Sequence, residues 1–419
     1  MTGRIRRIAL CGLEVTNLGD RVIFDTAEWL LRDVLAELGL SDCTITRVPI
    51  VSDGGFEKPK KASRKMRVHW KRRVSSCAAV FAAVPVLRGV VHAAAGFLLR
   101  RIWRRSRAYA RFAADVLPRL ADADLIVFSG GGMVKYHRQS FHYLVDEITA
   151  FADRRRVPVV FNAVGVEGYD AADPECAILA NALRRKCVFA VTTRDDLDML
   201  VRDYRLSPRL GPERVCDPAF WTAETYGVAA RGAAPGVVGL NVIRPDIFGE
   251  YGQPVDERAL CRLYADLAGR IRAGGRRVVL FSNGALTDAA LVDGIYAADS
   301  KLSADPGVTV VLPKTTRELV ETIAGFERFM SARLHSSIIG TVLGIPNVSL
   351  VWNRKQPLFG KQIGMEGNYI PMERADATTV LARLGAAEPY AMDADYKNSV
   401  RRSLKRTLEA LAYPEDQPE

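Results

Sequence analysis

The chain of 419 residues has few of the side chains that build metal centres and disulfide frameworks. It contains five histidines and seven cysteines, and the cysteines form no Cys-x-x-Cys pair and no regular spacing. An odd number of scattered cysteines does not indicate a disulfide framework. The histidines other than His335 show no metal-ligand spacing with one another or with carboxylates. We therefore expect no metal site.

A long apolar run is also missing from the N-terminus. The first apolar segment breaks within five residues into a glycine and a polar loop, whereas a secretory leader needs a longer run. This segment predicts a first β-strand and a cytoplasmic protein. Charged residues make up 26% and hydrophobic residues 48%, which is typical of a globular chain with room for two domains.

Acidic residues are absent from one segment. Between Lys58 and Ala114 there are sixteen Lys or Arg and no Asp or Glu, so the rest of the chain is slightly acidic although the net charge is +11. Three interpretations are open: a helical cover on the first lobe with a solvated charged rim, a contact with anionic lipid headgroups, and a nucleic-acid site.

We favour the first two interpretations of this basic segment together. Its apolar centre, Val74 to Leu99, contains Arg88, Pro85 and several alanines, which disfavour insertion across a bilayer. Few aromatic residues are present to stack on bases, so no nucleic acid is expected. The predicted contact is peripheral, at the inner face of the membrane.

Short apolar runs alternate with amphipathic stretches elsewhere, which is typical of parallel strands joined by helices. The pattern restarts after Arg231–Gly236. We predict an α/β fold of two Rossmann-like lobes facing across a cleft, as in B-type glycosyltransferases. The expected parts are an N-terminal lobe (1–230) with the basic helical insertion (58–114), a C-terminal lobe (236–370), and a tail and helix (371–419).

Individual elements follow from the same pattern. Asp20 is expected to cap the first helix, and the last helix, Tyr396–Leu411, is expected to pack on the first lobe. The predicted strands are Arg7–Gly12, Thr44–Val51, Leu125–Phe128, Val157–Phe161, Val188–Thr192, Val237–Val242, Arg277–Phe281, Val308–Leu312, Phe329–Met330 and Asn347–Val351.

The run Ser331–Pro346 carries the clearest chemistry. It places Arg333 and His335 where a strand ends and a helix begins, and backbone N–H groups at a helix start attract anions. Imidazole can give and take a proton near neutral pH. Taken alone, the two residues could equally be an ion-pair arginine and a helix-start histidine with local hydrogen bonds.

The wider pattern resembles the polysaccharide pyruvyl transferases. Arg-Leu-His at 333–335 is followed by a small-residue helix and then by the terminal signature of that family. The motifs that carry the resemblance are Gly344-Ile345-Pro346, Trp352-Asn353-Arg354-Lys355, Phe359, Ile363-Gly364, Asn17-Leu18-Gly19-Asp20, Ser129-Gly130-Gly131-Gly132 and Thr193-Arg194-Asp195. The resemblance runs from about Ile8 to Gly364 and leaves out the basic insertion.

The resemblance implies a pyruvyltransferase of polysaccharide biosynthesis. Its donor would be phosphoenolpyruvate, with no cofactor, and its acceptor a sugar of a polysaccharide, such as an exopolysaccharide of the cell envelope, or of a lipid-linked glycan precursor. The product would be a cyclic ketal. Catalytic roles fall on His335 and Arg333, with His335 as acid or as base. The implied donor-binding residues are Arg194, Arg333, Leu334 and His335, and the acceptor-binding residues are Asn17, Gly19, Asp20, Gly130, Gly131 and Gly132. Arg244 is a further donor-binding candidate from its position after the first strand of the second lobe.

Weaker candidates are Asn241, after the first strand of the second lobe, and His137, beyond the glycine turn. Two other functions are open. A nucleotide-sugar glycosyltransferase would share the two-lobed architecture, because fold alone does not determine chemistry. A non-enzymatic protein that binds membranes or polyanions through the basic insertion is the third interpretation.

Overall fold

The computed structural model describes residues 5–15, 17–52, 85–136, 140–228, 236–284 and 286–413. His137, residues 58–84 of the basic insertion and most of the expected boundary at Arg231–Gly236 lie outside these residues. The chain divides into two compact units. Unit 1 is Met1–Glu14, Ala27–Asp217 and Asn398–Glu419, and unit 2 is Val15–Thr26 and Pro218–Lys397.

Unit 1 is built on a six-stranded parallel sheet. Its strands are β1 (Arg7–Glu14), β2 (Thr44–Ser52), β3 (Leu125–Ser129), β5 (Val159–Val164), β7 (Val188–Thr193) and β8 (Glu213–Arg214), beside a two-stranded sheet of β4 (Val134–Lys135) and β6 (Val166–Glu167). The order in the main sheet is β2-β1-β3-β5-β7-β8. Every residue of β3 and β5 is buried, as expected for central strands covered on both faces.

Helices connect these strands. They are α1 (Leu18–Glu37), α2 (Pro85–Arg104), α3 (Arg107–Asp115), α4 (Phe141–Arg155) and α5 (Pro174–Leu183). The predicted cap of α1 was wrong by three residues. Asp20 lies inside the first turn, and the Asn17 side-chain oxygen instead accepts the Gly19 N–H at 3.2 Å. Asn17 caps because its oxygen reaches the second helical residue.

Unit 2 contains a second six-stranded parallel sheet. Its strands are β9 (Val237–Asn241), β10 (Arg277–Phe281), β11 (Val308–Val311), β12 (Arg328–Ser331), β13 (Asn347–Val351) and β14 (Tyr369–Pro371), in the order β11-β10-β9-β12-β13-β14. Numbered within the unit, this is the 3-2-1-4-5-6 order of a Rossmann fold. Ligands of such sheets bind at the carboxyl ends of the strands where the order reverses, here between β9 and β12.

The helices of unit 2 cover its sheet with apolar faces. They are α6 (Thr222–Tyr226), α7 (Asp246–Glu250), α8 (Glu257–Ala273), α9 (Leu286–Ala289), α10 (Leu291–Ala298), α11 (Lys301–Ala304), α12 (Thr316–Ala324), α13 (Leu334–Val342), α14 (Lys355–Gln362) and α15 (Ala377–Ala386). Two buried clusters result. One packs around Phe248, Tyr264 and Leu350, and the other around Phe281, Phe326 and Phe329.

The last helix, α16 (Ala394–Ala412), returns to unit 1, which confirms the sequence prediction. Its Arg401 donates to Asp33 at 2.7 Å, and its Arg406 donates to Glu213 at 2.8 Å. Among the helices of the described chain, none combines the length and the apolar character that crossing a bilayer requires.

Candidate functional site

The strand order of unit 2 reverses between β9 and β12, and we call this place the switch point of the sheet. Polar residues from three strand ends lie there. Asn241 ends β9, Asn283 follows β10 by two residues, and Ser331 ends β12. Arg333 follows two residues after Ser331, and α13 begins at Leu334. The sequence folds this way because apolar strands stop at these polar residues, and a parallel sheet brings its carboxyl ends to one edge.

Arg333 is held in place by a buried carboxylate. Its Nε donates to Asp288 Oδ2 at 3.0 Å and its Nη2 to Asp288 Oδ1 at 2.7 Å. Asp288 is fully buried and also accepts the Arg244 backbone N–H at 3.1 Å. A bidentate pair fixes the guanidinium plane, and Arg333 Nη1 has no partner among the described residues. That nitrogen is available to a ligand oxygen.

His335 lies beside the segment Asn17–Asp20, which consists of the cap residue and the first turn of α1. Its Nδ1 is 3.6 Å from Asp20 Oδ1, and Asp20 Oδ2 accepts from Asn17 Nδ2 at 2.9 Å. A Cβ on Gly19 would lie only 2.7 Å from the Cβ of His335. Since real Cβ atoms do not approach so closely, only glycine allows this contact.

Asn17, Gly19 and Asp20, predicted as acceptor ligands, therefore belong to unit 2 and lie next to the predicted catalytic histidine. The sequence pattern could not show this, because more than 300 residues separate the segment Asn17–Asp20 from His335. Leu18 N–H holds this segment in place by donating to the Asn283 carbonyl at 2.8 Å.

A buried amide network supports the same edge of the sheet. The Ala332 N–H donates to Asn241 Oδ1 at 3.2 Å, and Asn241 Nδ2 donates to Asn283 Oδ1 at 3.0 Å. Tyr264 hydroxyl donates to the Asn241 carbonyl at 2.6 Å, and burial raises the pKa of Tyr264 well above its ordinary value. Tyr264 therefore stays a neutral hydrogen-bond donor. Asn241 has a structural role in this network.

Arg244, a predicted donor ligand, already has partners. It donates to Asp246 at 2.7 Å and to Glu250 at 2.9 Å. Burial alone would lower the pKa of Arg244, but the hydrogen bonds to Glu250 and Asp246 outweigh burial and raise it. Its side chain is thus paired with two partly exposed carboxylates, and its role as a donor ligand stays a prediction.

The glycine turn of unit 1 follows β3. Gly130 and Gly131 both have φ of 60°, a conformation that side chains rarely adopt. Gly131 carbonyl accepts the Gly165 N–H at 2.7 Å. Ser129 is buried, and its hydroxyl has no hydrogen-bond partner among the described residues. This turn lies at the switch point of unit 1, where the order reverses between β1 and β3.

Arg194 lies beside the glycine turn. Its Nη1 donates to the buried Asp217 at 2.6 Å, and a Cβ on Gly165 would lie 3.3 Å from its Nη2 and from the Gly132 Cα. Arg194 thus groups with Gly130–Gly132 in unit 1, whereas Arg333 and His335 group with Asn17–Asp20 in unit 2.

Sequence reasoning missed Asp288, Asp217 and Asn283. A signal was present only for Asn283, which follows a buried strand just as Asn241 ends one. A groove of about 900 Å³ in unit 1 is a separate feature at the amino ends of β5 and β7, lined in part by Val157, Val188 and Arg406. It contains none of the predicted residues. No three His, Cys, Asp or Glu of the described chain could together hold a metal ion.

These observations define an α/β protein of two Rossmann-like units with charged residues at the switch point of each, which confirms the predicted pair of lobes. Three solved structures share this fold: a putative UDP-N-acetylglucosamine 2-epimerase from Listeria monocytogenes (8% identity, covering 100% of this chain and 99% of that chain, TM-score 0.55), UDP-GlcNAc 2-epimerase from Methanocaldococcus jannaschii (10%, 97% and 99%, TM-score 0.51), and UDP-GlcNAc 2-epimerase from Neisseria meningitidis bound to UDP-GlcNAc (10%, 97% and 100%, TM-score 0.51). At such low identities the similarity establishes the fold alone.

The family to which the chain belongs is a more specific class than its fold. The model of the polysaccharide pyruvyl transferase family matches residues 17–354, and the chain belongs to that family. This confirms the resemblance read from the motifs, and it makes the protein a transferase of polysaccharide biosynthesis. No curated protein matches the sequence.

Proposed function

We propose that the protein transfers the enolpyruvyl-derived group of phosphoenolpyruvate to a sugar of a polysaccharide or lipid-linked glycan precursor. The product is a cyclic pyruvate ketal, and phosphate is released. Family membership over residues 17–354 supports the reaction class. The observation that carries the proposal is Arg333 with His335 at the switch point, where Asp288 fixes the guanidinium.

Binding of the donor rests on arginine and on a helix start. Arg333 Nη1 would hold a phosphate or carboxylate oxygen, and the first N–H groups of α13, which begins at Leu334, favour the same anion. Arg194 is the second proposed donor ligand, oriented by Asp217. Arg244 is a third proposed donor ligand, and its pairs with Asp246 and Glu250 use only two of its five N–H groups.

The chemistry consists of two proton transfers and two carbon–oxygen bond formations. A proton added to the methylene carbon of the donor makes a methyl group and leaves the neighbouring carbon electrophilic. One sugar hydroxyl attacks that carbon, phosphate departs with its bridging oxygen, and a second hydroxyl closes the ketal. Of the two hydroxyl protons, one balances the new methyl hydrogen and the other leaves with phosphate. No redox cofactor is needed, because the hydrogen gained by the methylene carbon balances the second oxygen gained by the central carbon, so the three-carbon unit keeps its overall oxidation level.

His335 is the proposed group for these proton transfers. It acts as the acid toward the methylene carbon or as the base toward a hydroxyl. Asp20, next to His335 Nδ1, would orient the ring. Asn17, Gly19 and Asp20 remain proposed acceptor contacts, together with Gly130, Gly131 and Gly132 in unit 1. Acceptor hydroxyls close to Asp20 would be within reach of His335.

The test is phosphate release from phosphoenolpyruvate by the purified protein. Acceptors are methyl glycosides of galactose, glucose and N-acetylmannosamine, each with a free 4,6-diol, and an extract of lipid-linked glycans. Arg333→Ala and His335→Ala should each lower kcat/KM by at least about a hundredfold, the lower range for one proton-transfer or charge-stabilising group. Arg270→Ala, an exposed arginine on α8, is the matched control and should keep wild-type turnover. Wild-type rates in either site variant would exclude this centre.

A nucleotide-sugar glycosyltransferase is the second candidate. It is favoured by one observation, the shared fold with an epimerase bound to UDP-GlcNAc. In the same assay, release of UDP from UDP-GlcNAc without any phosphate release from phosphoenolpyruvate would replace the first proposal with this one.

We also propose a peripheral contact with anionic lipid at the cytoplasmic face of a membrane. Phe97 is 66% exposed and Leu98 40% exposed on α2. Arg101, Arg105 and Arg107 follow them and make no ion pair with a described residue. Apolar side chains flanked by arginines suit the boundary between acyl chains and anionic headgroups. Such a contact would place the enzyme near lipid-linked glycans.

A further inference from the structure

Asn283 is a buried amide whose orientation the structure determines. It is 1% exposed and lies just beyond the end of β10. The backbone N–H of Ala332 donates to Asn241 Oδ1, so the other side-chain atom of Asn241 must be its nitrogen. That nitrogen donates to Asn283 at 3.0 Å, and the Ser336 hydroxyl donates to the same atom at 2.6 Å. The atom facing them is therefore the oxygen of Asn283.

The nitrogen of Asn283 consequently points the other way. Asn283 Nδ2 is buried and has no hydrogen-bond partner among the described residues. Leaving a buried donor unsatisfied costs about 1–3 kcal/mol, and nearly all buried polar groups in folded proteins are satisfied. Turning the amide over would not help, because it would set two donors against each other at Asn241.

The direction of this nitrogen is informative. A Cβ built on Gly19 would lie 3.2 Å from Asn283 Nδ2 and 2.7 Å from the Cβ of His335. The unsatisfied donor therefore faces the place where Gly19 passes His335. The hydrogen bond from Leu18 N–H to the Asn283 carbonyl holds the segment Asn17–Asp20 beside His335. Asn283 thus contacts Leu18 at the start of α1 and Ser336, the residue after His335 on α13.

We propose that Asn283 Nδ2 donates a hydrogen bond to an anionic oxygen, phosphate or carboxylate, of the substrate held at Arg333 and His335. The inference deepens the proposed function and rests on it. Asn283 Oδ1 keeps its two bonds to Asn241 and Ser336, so the donor is already oriented before the substrate arrives.

Asn283→Asp is the main test. The substitution keeps an oxygen acceptor for Asn241 and Ser336, but it replaces the donor with a second carboxylate oxygen that repels an anion. Asn283→Ser is the second variant, in case the aspartate lowers stability, since the shorter serine removes the donor at the position of Nδ2 without adding a charge. Asn347→Ala is the control. Asn347 is a buried amide whose oxygen accepts from Ser337 and whose nitrogen donates to Thr341 and Ile345.

Binding is measured on the full-length protein by calorimetry with phosphoenolpyruvate, inorganic phosphate, pyruvate and UDP-GlcNAc. We expect both Asn283 variants to weaken phosphoenolpyruvate binding at least tenfold, and Asn347→Ala to lower Tm with an unchanged Kd. Loss of phosphate binding would assign the contact to a phosphate oxygen, and loss of pyruvate binding to a carboxylate oxygen.

Three outcomes would contradict the inference, the proposed function, or both. Wild-type Kd values in folded Asn283→Asp and Asn283→Ser overturn it while leaving the proposed function intact. If the wild type binds UDP-GlcNAc but not phosphoenolpyruvate, the proposed function fails, and the same variants then test Asn283 against the diphosphate. If the wild type binds none of these anions, both proposals fail.

Discussion

At the scale of single residues, the atoms around a glycine determine whether replacing it by alanine disturbs the site. Gly19 and Gly269 both lie in helices with ordinary φ, in α1 and α8. A Cβ on Gly269 would have no atom within 4 Å, whereas a Cβ on Gly19 would collide with His335. Alanine is the better helix former at both positions by up to about 1 kcal/mol. The same substitution therefore separates intrinsic propensity from the site.

Gly19→Ala should lower kcat/KM for phosphate release at least tenfold, because the added methyl group must push either His335 or the first turn of α1 away from its position. Thermal unfolding and steady-state kinetics of Gly19→Ala are compared with those of Gly269→Ala. The control should unfold at the same or a higher temperature and retain full activity. Full activity in Gly19→Ala would show that the contact of Gly19 with His335 plays no part in turnover.

Motifs identify charged residues but not the carboxylates that orient them. Arg333 and His335 could be predicted because Arg-Leu-His follows a strand at a helix start. Asp288, which fixes Arg333, lies 45 residues earlier, at α9. Nothing in the local sequence connects the two, since their contact depends on how β10, β12 and the helices between them pack. The role of Asn283 depends on a network from three strand ends, which no local pattern contains.

At the scale of elements, the end of the basic insertion is not a solvated rim alone. Arg100 donates to Asp146 at 2.6 Å and Arg104 to Glu147 at 2.7 Å, which fastens α2 to α4. Trp103 stacks on Tyr143 with 5.1 Å between ring centroids. Positive charge in this segment is therefore divided between arginines that hold the helix and arginines that face outward.

Asp146→Ala should destabilise the protein by about 2–3 kcal/mol, somewhat below the loss expected for a fully buried pair. The carboxylate is buried and binds two arginines, Arg100 and Arg185, but both are partly exposed and hydration will compensate part of the loss. Urea unfolding measures the difference.

Asp266→Ala is the comparison for Asp146→Ala. It removes an exposed i,i+4 pair with Arg270 on α8 and should cost less than about 1 kcal/mol. Equal effects of the two substitutions would mean that the α2–α4 contact contributes no more than a surface ion pair.

At the scale of the whole molecule, charge is unevenly distributed. Without residues 58–114 the chain has 43 basic and 48 acidic residues, so the net charge of +11 comes from that segment. Because the positive charge is concentrated in this one segment, we expect the segment to bind an anionic surface rather than to serve general solubility.

Sedimentation with vesicles tests the proposed lipid contact. The wild type should bind phosphatidylglycerol-containing vesicles, lose binding as salt rises, and bind pure phosphatidylcholine weakly. Joint replacement of Arg101, Arg105 and Arg107 by alanine should remove about 1 kcal/mol per arginine, and Phe97→Ser with Leu98→Ser should weaken binding further. Leu312→Ser, another exposed leucine at 43%, is the control. Equal binding to both kinds of vesicle, or no effect of the arginines, would refute the contact.

The sequence by itself determined the two α/β units, most strand positions, the family and the arginine–histidine motif. It could do so because hydrophobic alternation and short motifs are local properties of a chain. Tertiary structure alone decided that the segment Asn17–Asp20 packs against His335 in unit 2 and that Asn283 faces this site with an unsatisfied donor. It also decided that Asp288 holds Arg333 and that Asp217 holds Arg194. Those contacts join residues that are tens or hundreds of positions apart, and only the packing of parallel strands brings their ends together.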